Sequence, residues 1–228
     1  AQQGGSDDQI LTLRSSDVNH TRTDITGTDT FFSIKKANPL EGAVMMNCMA
    51  DGGAYGVVVN AVHVTSNTTK STSAQGSVWL QGAIADSGNG KTTVGADGNL
   101  CVIANTSTTR FIFDAEGSGH ADVEWTTFSD ERLKKNIVEC PYGLAEVLQL
   151  KQKTFDKHSG MIDEDNNVVL EEKSRRMIGF LAQDVKALMP ELVKDLPDDK
   201  SFYSLNDGKL AAVLVNAIQE LNAKLEAN

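Results

Sequence analysis

The sequence has no apolar run long enough to span a bilayer, no dense stripe of basic residues and few aromatic residues. A spanning helix needs about 18 or more consecutive apolar residues, so we expect no membrane insertion. Asp and Glu outnumber Lys and Arg by 31 to 21, which gives a formal charge of −10. Because phosphate binding requires clustered positive charge, we also expect no nucleic-acid partner.

Metal ligands are equally sparse. The cysteines are odd in number and lack a CxxC spacing, so we interpret them as buried free thiols: Cys48, Cys101 and Cys140. The four histidines are scattered along the chain. Residues 163–167, DEDNN, lack the glycine and the distal glutamate of a calcium loop and predict a solvated hairpin turn. We therefore expect neither a metal nor another cofactor.

Composition divides the chain near residue 129. Of the 19 glycines 15 precede this position, whereas 14 of the 21 Lys and Arg residues follow it. We predict two differently built domains, residues 1–128 and residues 129–228. The chain opens with AQQGGSDDQ, which has no initiator Met and neither the basic region nor the apolar core of a signal peptide. We interpret the chain as a piece of a longer protein or as a processed product.

The first domain has the pattern of a β-rich segment. Short apolar or alternating runs are separated by Gly, Asn, Asp, Ser and Thr, and they predict strands at residues 10–13, 31–34, 57–64, 78–84, 100–104 and 110–113. Turn signals lie at residues 87–90, 97–98 and 116–117. Strands this short leave apolar faces that one chain can hardly cover, which favours three intertwined copies. A monomeric β-sandwich is the alternative.

The second domain has a mixed α and β pattern. Residues 142–150 and 183–189 predict helices, the second of them stopped by Pro190. Residues 153–158 and 167–171 predict a hairpin around the acidic turn, and residues 177–182 predict a strand. Residues 206–225 predict a long terminal helix with one apolar stripe, made of Leu210, Leu214, Ala217 or Ile218, Leu221 and Leu225.

The junction of the two domains carries a recognisable motif. Residues 129–134, SDERLK, fit the pattern S-D-x-R-x-K, and residues 178–185 (IGFLAQDV), 190–193 (PELV) and 203–225 extend the match over almost all of the second domain. This domain resembles the endosialidase-type C-terminal intramolecular chaperones, which occur on phage tail spikes, tail fibres and neck appendages and in myelin regulatory factors. The β-rich domain has only a general likeness to phage fibre stems.

The resemblance implies a self-cleaving homotrimer in the virion, assembled in the host cytoplasm and directed at a host-surface receptor or glycan. Carried to this sequence, the scissile bond joins Phe128 to Ser129, with Ser129 as nucleophile and Lys134 as its base. Asp130, Arg132 and Gln183 occupy supporting positions within the matched motifs. For Gln183, a buried hydrogen-bonding amide is an equally weighted interpretation.

Physical chemistry permits a Ser-Lys pair. A serine hydroxyl becomes a useful nucleophile when a neighbouring group takes its proton, and a lysine can do so when burial has made it neutral. Positions i and i+5 of a straight helix point about 140° apart, so the pair predicts a loop or turn at residues 129–132. An oxyanion donor is also required, and a backbone N–H is the expected one.

Other interpretations remain open at this stage. Residues 129–132 also have the pattern of a helix N-cap followed by acidic residues, and both interpretations can hold together. A Ser/His/Asp triad of Ser129 with His120 and Asp122 is a weaker alternative. At the level of the whole protein, an uncleaved structural fibre tip or host-receptor adhesin competes with the self-cleaving chaperone. A glycan-degrading spike is disfavoured because no acid pair stands out.

Overall fold

The computed structural model describes residues 9–18, 20–38, 40–53 and 55–227. Residues 1–8, where the sequence shows no signal-peptide pattern, lie outside this part. The Cα positions cluster into two compact units, one ending at Val62 and the other beginning at His63. No helix in the described ranges is both long and apolar enough to cross a membrane.

The first unit contains one antiparallel sheet of three strands in the order β1-β2-β3. Its strands are β1 (Leu11–Arg14), β2 (Thr30–Asn38) and β3 (Gly42–Cys48). The buried side chains of the described part of this unit are polar, and the His20 ring nitrogen Nε2 lies 2.7 Å from the Thr30 carbonyl oxygen. The described part of this unit contributes no fully buried large apolar side chain, so it has no apolar core of its own.

The second unit begins with two small antiparallel sheets. Strands β4 (Ile84–Ala85) and β5 (Lys91–Thr92) form the hairpin predicted at residues 87–90. Strands β6 (Asn99–Asn105), β7 (Thr108–Asp114) and β8 (Gly119–Ala121) form a three-stranded meander. The β7–β8 turn contains Gly117 at φ +82°, a left-handed conformation that glycine adopts without steric cost.

Two predicted strands do not form as the sequence suggests. Residues 57–64 contain no strand, and of residues 78–84 only Ile84 belongs to one. Their side chains are exposed, with Val64 and Leu80 among the least covered. A β-strand exists through hydrogen bonds to a neighbouring strand, and one copy of the chain supplies no neighbour here.

The rest of the second unit follows the predicted α and β pattern. A long hairpin of β9 (Lys153–Ile162) and β10 (Val168–Gly179) encloses the acidic turn, as predicted. The helices are α1 (Leu144–Val147), α2 (Ala182–Leu188) and α3 (Asp207–Glu226), and a 3₁₀ turn and the short pair β11 (Val193–Lys194) and β12 (Ser204–Leu205) lie between α2 and α3. The predicted helix at residues 142–150 is therefore shorter than expected. The fold class, a β-rich part followed by an α+β domain ending in a long helix, is confirmed.

The apolar core of the second unit lies between α2, the following 3₁₀ turn and α3. Met189 is fully buried, and Val185, Leu192, Val193 and Val213 surround it. Helix α3 turns Val213 and Ala217 inward, but four members of its predicted apolar stripe remain exposed, namely Leu214, Ile218, Leu221 and Leu225. Helix α3 therefore has a second apolar face outside the core.

The prediction that all three cysteines are buried was wrong. Cys48 and Cys101 are half-buried, and Cys140 is exposed. Cys48 and Cys101 lie on strands of small sheets that leave much of both faces open, whereas Cys140 lies in an extended stretch before α1. The small core of a single chain explains the difference, since burial of a thiol requires neighbouring apolar layers.

Candidate active site at the junction

The chain reaches the predicted scission site through a segment anchored by one aromatic residue. Trp125 packs against two side chains of β7, with ring-centroid distances of 5.1 Å to Phe111 and 6.3 Å to Phe113. Past this anchor, Phe128 is 95% exposed. No role was predicted for Trp125 from the sequence, although two aromatic residues alternating on one predicted strand, with a tryptophan shortly after, are a signal for such a contact.

Ser129 and Lys134 lie in direct contact. The Lys134 Nζ atom is 2.9 Å from the Ser129 hydroxyl oxygen and 2.9 Å from the Ser129 carbonyl oxygen. A single 3₁₀ turn, Glu131–Leu133, separates the two residues and ends at Lys134. The tighter 3₁₀ winding and the extended residues on either side bring positions i and i+5 together, as the predicted loop or turn requires.

Asp130 fixes this turn. Its carboxylate accepts hydrogen bonds from the Arg132 backbone N–H at 2.8 Å and from the guanidinium Nε and Nη2 atoms at 2.9 and 2.7 Å. The Arg132 side chain, followed by its N–H, holds the pKa of the Asp130 carboxyl below its ordinary value. A helix start with an N-cap is therefore present at residues 129–132, but the helix is a single 3₁₀ turn and its capping residue is Asp130, not Ser129.

The Ser129–Lys134 pair is open to solvent. Ser129 and Lys134 are exposed, and the side chains near them in the chain include Leu133, Ile137 and Val138, each at least 65% exposed. A single chain therefore provides the contact between hydroxyl and amine without the burial that favours a neutral amine. Four exposed apolar side chains that lie near one another in the sequence, Phe128, Leu133, Ile137 and Val138, are together called the junction patch below.

The proposed Ser/His/Asp triad does not assemble in the structure. The His120 ring nitrogen Nε2 lies 2.8 Å from the Asp114 carboxylate, and this hydrogen bond lowers the pKa of Asp114. Asp122 forms an ion pair with Arg110 across the β7–β8 edge. With both partners engaged elsewhere, Ser129 makes its side-chain contact with Lys134.

Gln183, the remaining supporting position, lies in the first turn of α2. Its side chain is exposed, so the interpretation as a buried amide is wrong. Within the described ranges it makes no hydrogen bond with Ser129 or Lys134.

The acidic turn between β9 and β10 behaves as a capped hairpin turn. The Asp163 carboxylate accepts a hydrogen bond of 2.8 Å from the Asn167 backbone N–H, which lowers the pKa of Asp163. Asn166 adopts a positive φ of 64°, which asparagine tolerates better than most residues. In the described part of the chain, no group of three acidic, His or Cys side chains is arranged to hold a metal ion.

Comparison with known proteins identifies the segment that contains this site. Residues 129–194 match the family described as chaperone of endosialidase, a family of self-cleaving peptidases. The match begins at Ser129 and confirms the family to which the C-terminal part of the chain was assigned by sequence. It supports an intramolecular chaperone role of the phage tail-fibre and tail-spike kind. Neither the curated proteins nor the solved structures yielded a match to the chain.

Proposed function

We propose that this chain, whose residues 129–194 match the endosialidase chaperone family, is the C-terminal part of a phage tail fibre or tail spike. Residues 129–228 drive homotrimerisation and folding of residues 1–128, then cut the Phe128–Ser129 bond and are released. The observation that carries the proposal is the 2.9 Å contact between the Lys134 amine and the Ser129 hydroxyl, at the first residue of the family match.

The proposed cleavage has two steps, formation of an ester on Ser129 and hydrolysis of that ester. Neutral Lys134 takes the proton of the Ser129 hydroxyl while the oxygen forms a bond to the Phe128 carbonyl carbon. The bond from that carbon to the Ser129 nitrogen then breaks, and the nitrogen takes the proton back from the Lys134 ammonium and leaves as an amine. Water hydrolyses the resulting ester, which restores the serine hydroxyl and gives Phe128 a free carboxylate. The scheme needs no ATP, metal or other cofactor.

Assembly is the step that activates the base. Lys134 is exposed to solvent in one chain. Contact between copies at the junction patch would remove water from Lys134 and disfavour its ammonium form. Scission then follows trimer formation, because the pair is not shielded from water before it.

The proposed roles of the C-terminal region and the β-rich segment follow from folding kinetics. Intertwined β strands nucleate slowly, since distant pairing requires loop closure before any contact stabilises it. The C-terminal region has an apolar core, and the second apolar face of α3 offers a surface on which three copies can meet. Trimerisation there raises the local concentration of the three β segments. Release of the chaperone after scission makes the assembled fibre hard to unfold, because the chaperone no longer remains to catalyse the reverse path.

Mass spectrometry of the purified full chain tests the proposal. We expect wild type to give two fragments divided between Phe128 and Ser129, and both Ser129→Ala and Lys134→Ala to remain whole. Lys135→Ala is the matched control, because it removes the neighbouring amine and leaves the Ser129 contact in place. It should give the two fragments of wild type.

Two results would contradict the proposal. If an assembled wild-type trimer kept the Phe128–Ser129 bond intact, the chain would be an uncleaved fibre tip or adhesin. If Lys134→Ala cleaved as fast as Lys135→Ala, Lys134 would not be the base.

A further inference from the structure

A short segment of the β-rich part lies against the C-terminal region. The Thr68 and Thr69 hydroxyl groups both donate to the Asp198 carboxylate oxygen Oδ2, at 2.8 and 3.3 Å. These bonds span 130 and 129 positions in the sequence, and all of the residues involved belong to the second unit. Nothing in the sequence pattern of residues 67–72 indicated this contact.

Backbone groups continue the contact along the same segment. The Lys70 N–H donates to the Ser201 hydroxyl oxygen at 2.9 Å, and the Phe202 N–H donates to the Lys70 carbonyl at 3.2 Å. Two residues further on, the Thr72 N–H donates to the Gly160 carbonyl on β9 at 3.1 Å. The segment is thus held by backbone pairing at two points and by two hydroxyl groups on one carboxylate.

The C-terminal side of this contact is organised by its own hydrogen bonds. Ser201 is 3% exposed and donates to the other Asp198 oxygen, Oδ1, at 2.6 Å. The Lys200 ammonium donates to the Asp163 carbonyl and to the Asn166 side-chain oxygen in the β9–β10 turn. The hydroxyl of Ser201, followed by that of Thr68, lowers the pKa of Asp198. Asp198 therefore presents a fixed anionic acceptor to the two threonines.

We propose that Asp198, Ser201 and the Gly160 edge of β9 form a docking surface for residues 68–72, which holds the chaperone on the fibre segment after scission. Retention of the chaperone after scission rests on the proposed function. Cutting between Phe128 and Ser129 places residues 68–72 and the docking surface on different fragments. Scission is then a separate event from release, and release requires these hydrogen bonds to open.

Amide hydrogen exchange on the uncut full chain tests the docking surface without any need for scission. The Ser129→Ala chain is compared with the same chain carrying Asp198→Ala or Thr68→Val with Thr69→Val. We expect slow exchange at Lys70, Thr72 and Phe202, and exchange about tenfold faster or more at Lys70 in both variants, the size expected for loss of charge-assisted hydrogen bonds.

Matched controls separate the docking contact from general damage. Asp199→Ala removes the same charge one position away, and Thr65→Val replaces a hydroxyl with a methyl group before the segment. In both control variants the amide hydrogens of Lys70, Thr72 and Phe202 should exchange as slowly as in the parent chain. The variant with Thr68→Val and Thr69→Val leaves the chaperone sequence unchanged. It therefore tests the contact even if Asp198→Ala disturbs the loop that contains Asp198. Fast exchange at Lys70 in the parent chain would overturn the docking surface.

A second experiment tests retention independently of self-cleavage. A site-specific protease sequence is inserted between residues 128 and 129 of the Ser129→Ala chain, and the chain is cut after purification. We expect the two fragments to elute together on size exclusion, and to separate at least tenfold faster with Thr68→Val and Thr69→Val than with Thr65→Val. Equal separation rates would overturn the retention role. Failure of wild type to cleave itself would contradict the proposed function alone, since this chain is cut by the added protease.

Discussion

Residues 55–128 and residues 142–226 differ in where they place their apolar side chains. In the C-terminal region, Val185, Met189 and Val213 are almost fully buried around one core. In the β-rich region, Val58, Trp79 and Leu80 are all more than 60% exposed. The two regions have similar kinds of apolar residues available, but only one of them covers these residues with its own chain.

The contrast indicates which region can fold first. Each Å² of apolar surface removed from water contributes roughly 25 cal/mol, so a region with a closed core gains stability without partners. An exposed apolar surface as extensive as that of residues 55–128 is typical of a segment that awaits an interaction partner. The proposed chaperone role follows this order, because the self-sufficient region acts on the dependent one.

Separating the two regions should have the largest effect. We expect residues 129–228 expressed alone to be soluble and folded, and residues 1–128 expressed alone to aggregate, because their apolar faces and strand edges remain uncovered. Circular dichroism and size exclusion on each piece check this. A soluble, cooperatively melting piece of residues 1–128 would favour the monomeric sandwich and remove the need for a chaperone.

The difference in apolar burial between the two regions could be predicted from the sequence only in part. Periodicity located the β9–β10 hairpin, α2 and α3, because each pattern is completed by contacts within the same chain. It also predicted strands at residues 57–64 and 78–84, where alternation is present but a pairing strand is missing from the single chain. The Ser129 and Lys134 positions came from a family motif, whereas Asp198 depends on a long-range contact that no local pattern encodes.

The second apolar face of α3 provides a way to separate folding from assembly. We expect Ile218→Lys to abolish trimer formation while leaving the helical content unchanged, since Ile218 is 66% exposed in one chain and a buried lysine would be costly in a trimer. Gln219→Lys is the matched control on the next, polar position and should trimerise normally. Light scattering gives the oligomeric state, and mass spectrometry should show that scission is lost with the trimer. A trimeric Ile218→Lys chain would move the assembly surface away from this face.

The core of the C-terminal region should respond strongly to loss of volume. Met189 is fully buried, so Met189→Ala in the full chain should lower the free energy of unfolding of this region by ~2–5 kcal/mol. Thermal melting followed by circular dichroism measures the change. Leu148→Ala removes a side chain that is 75% exposed and should shift the melting temperature little. Equal shifts for the two variants would mean that the region lacks the closed core on which the comparison depends.

The smallest effect is expected at the turn that brings Lys134 to Ser129. Asp130→Asn keeps an N-cap side chain but loses the carboxylate that pairs with the Arg132 guanidinium, whereas Asp130→Ala loses both. Because the pair is exposed, we expect Asn to slow scission slightly and Ala to slow it several-fold, with the trimer fraction unchanged in both. Glu131→Gln, which changes the adjacent charge and leaves the cap intact, should cleave like wild type. The rate of fragment formation after mixing from denaturant measures the graded loss. An Asn variant as slow as the Ala variant would mean that the charge, and not the capped turn, places the lysine.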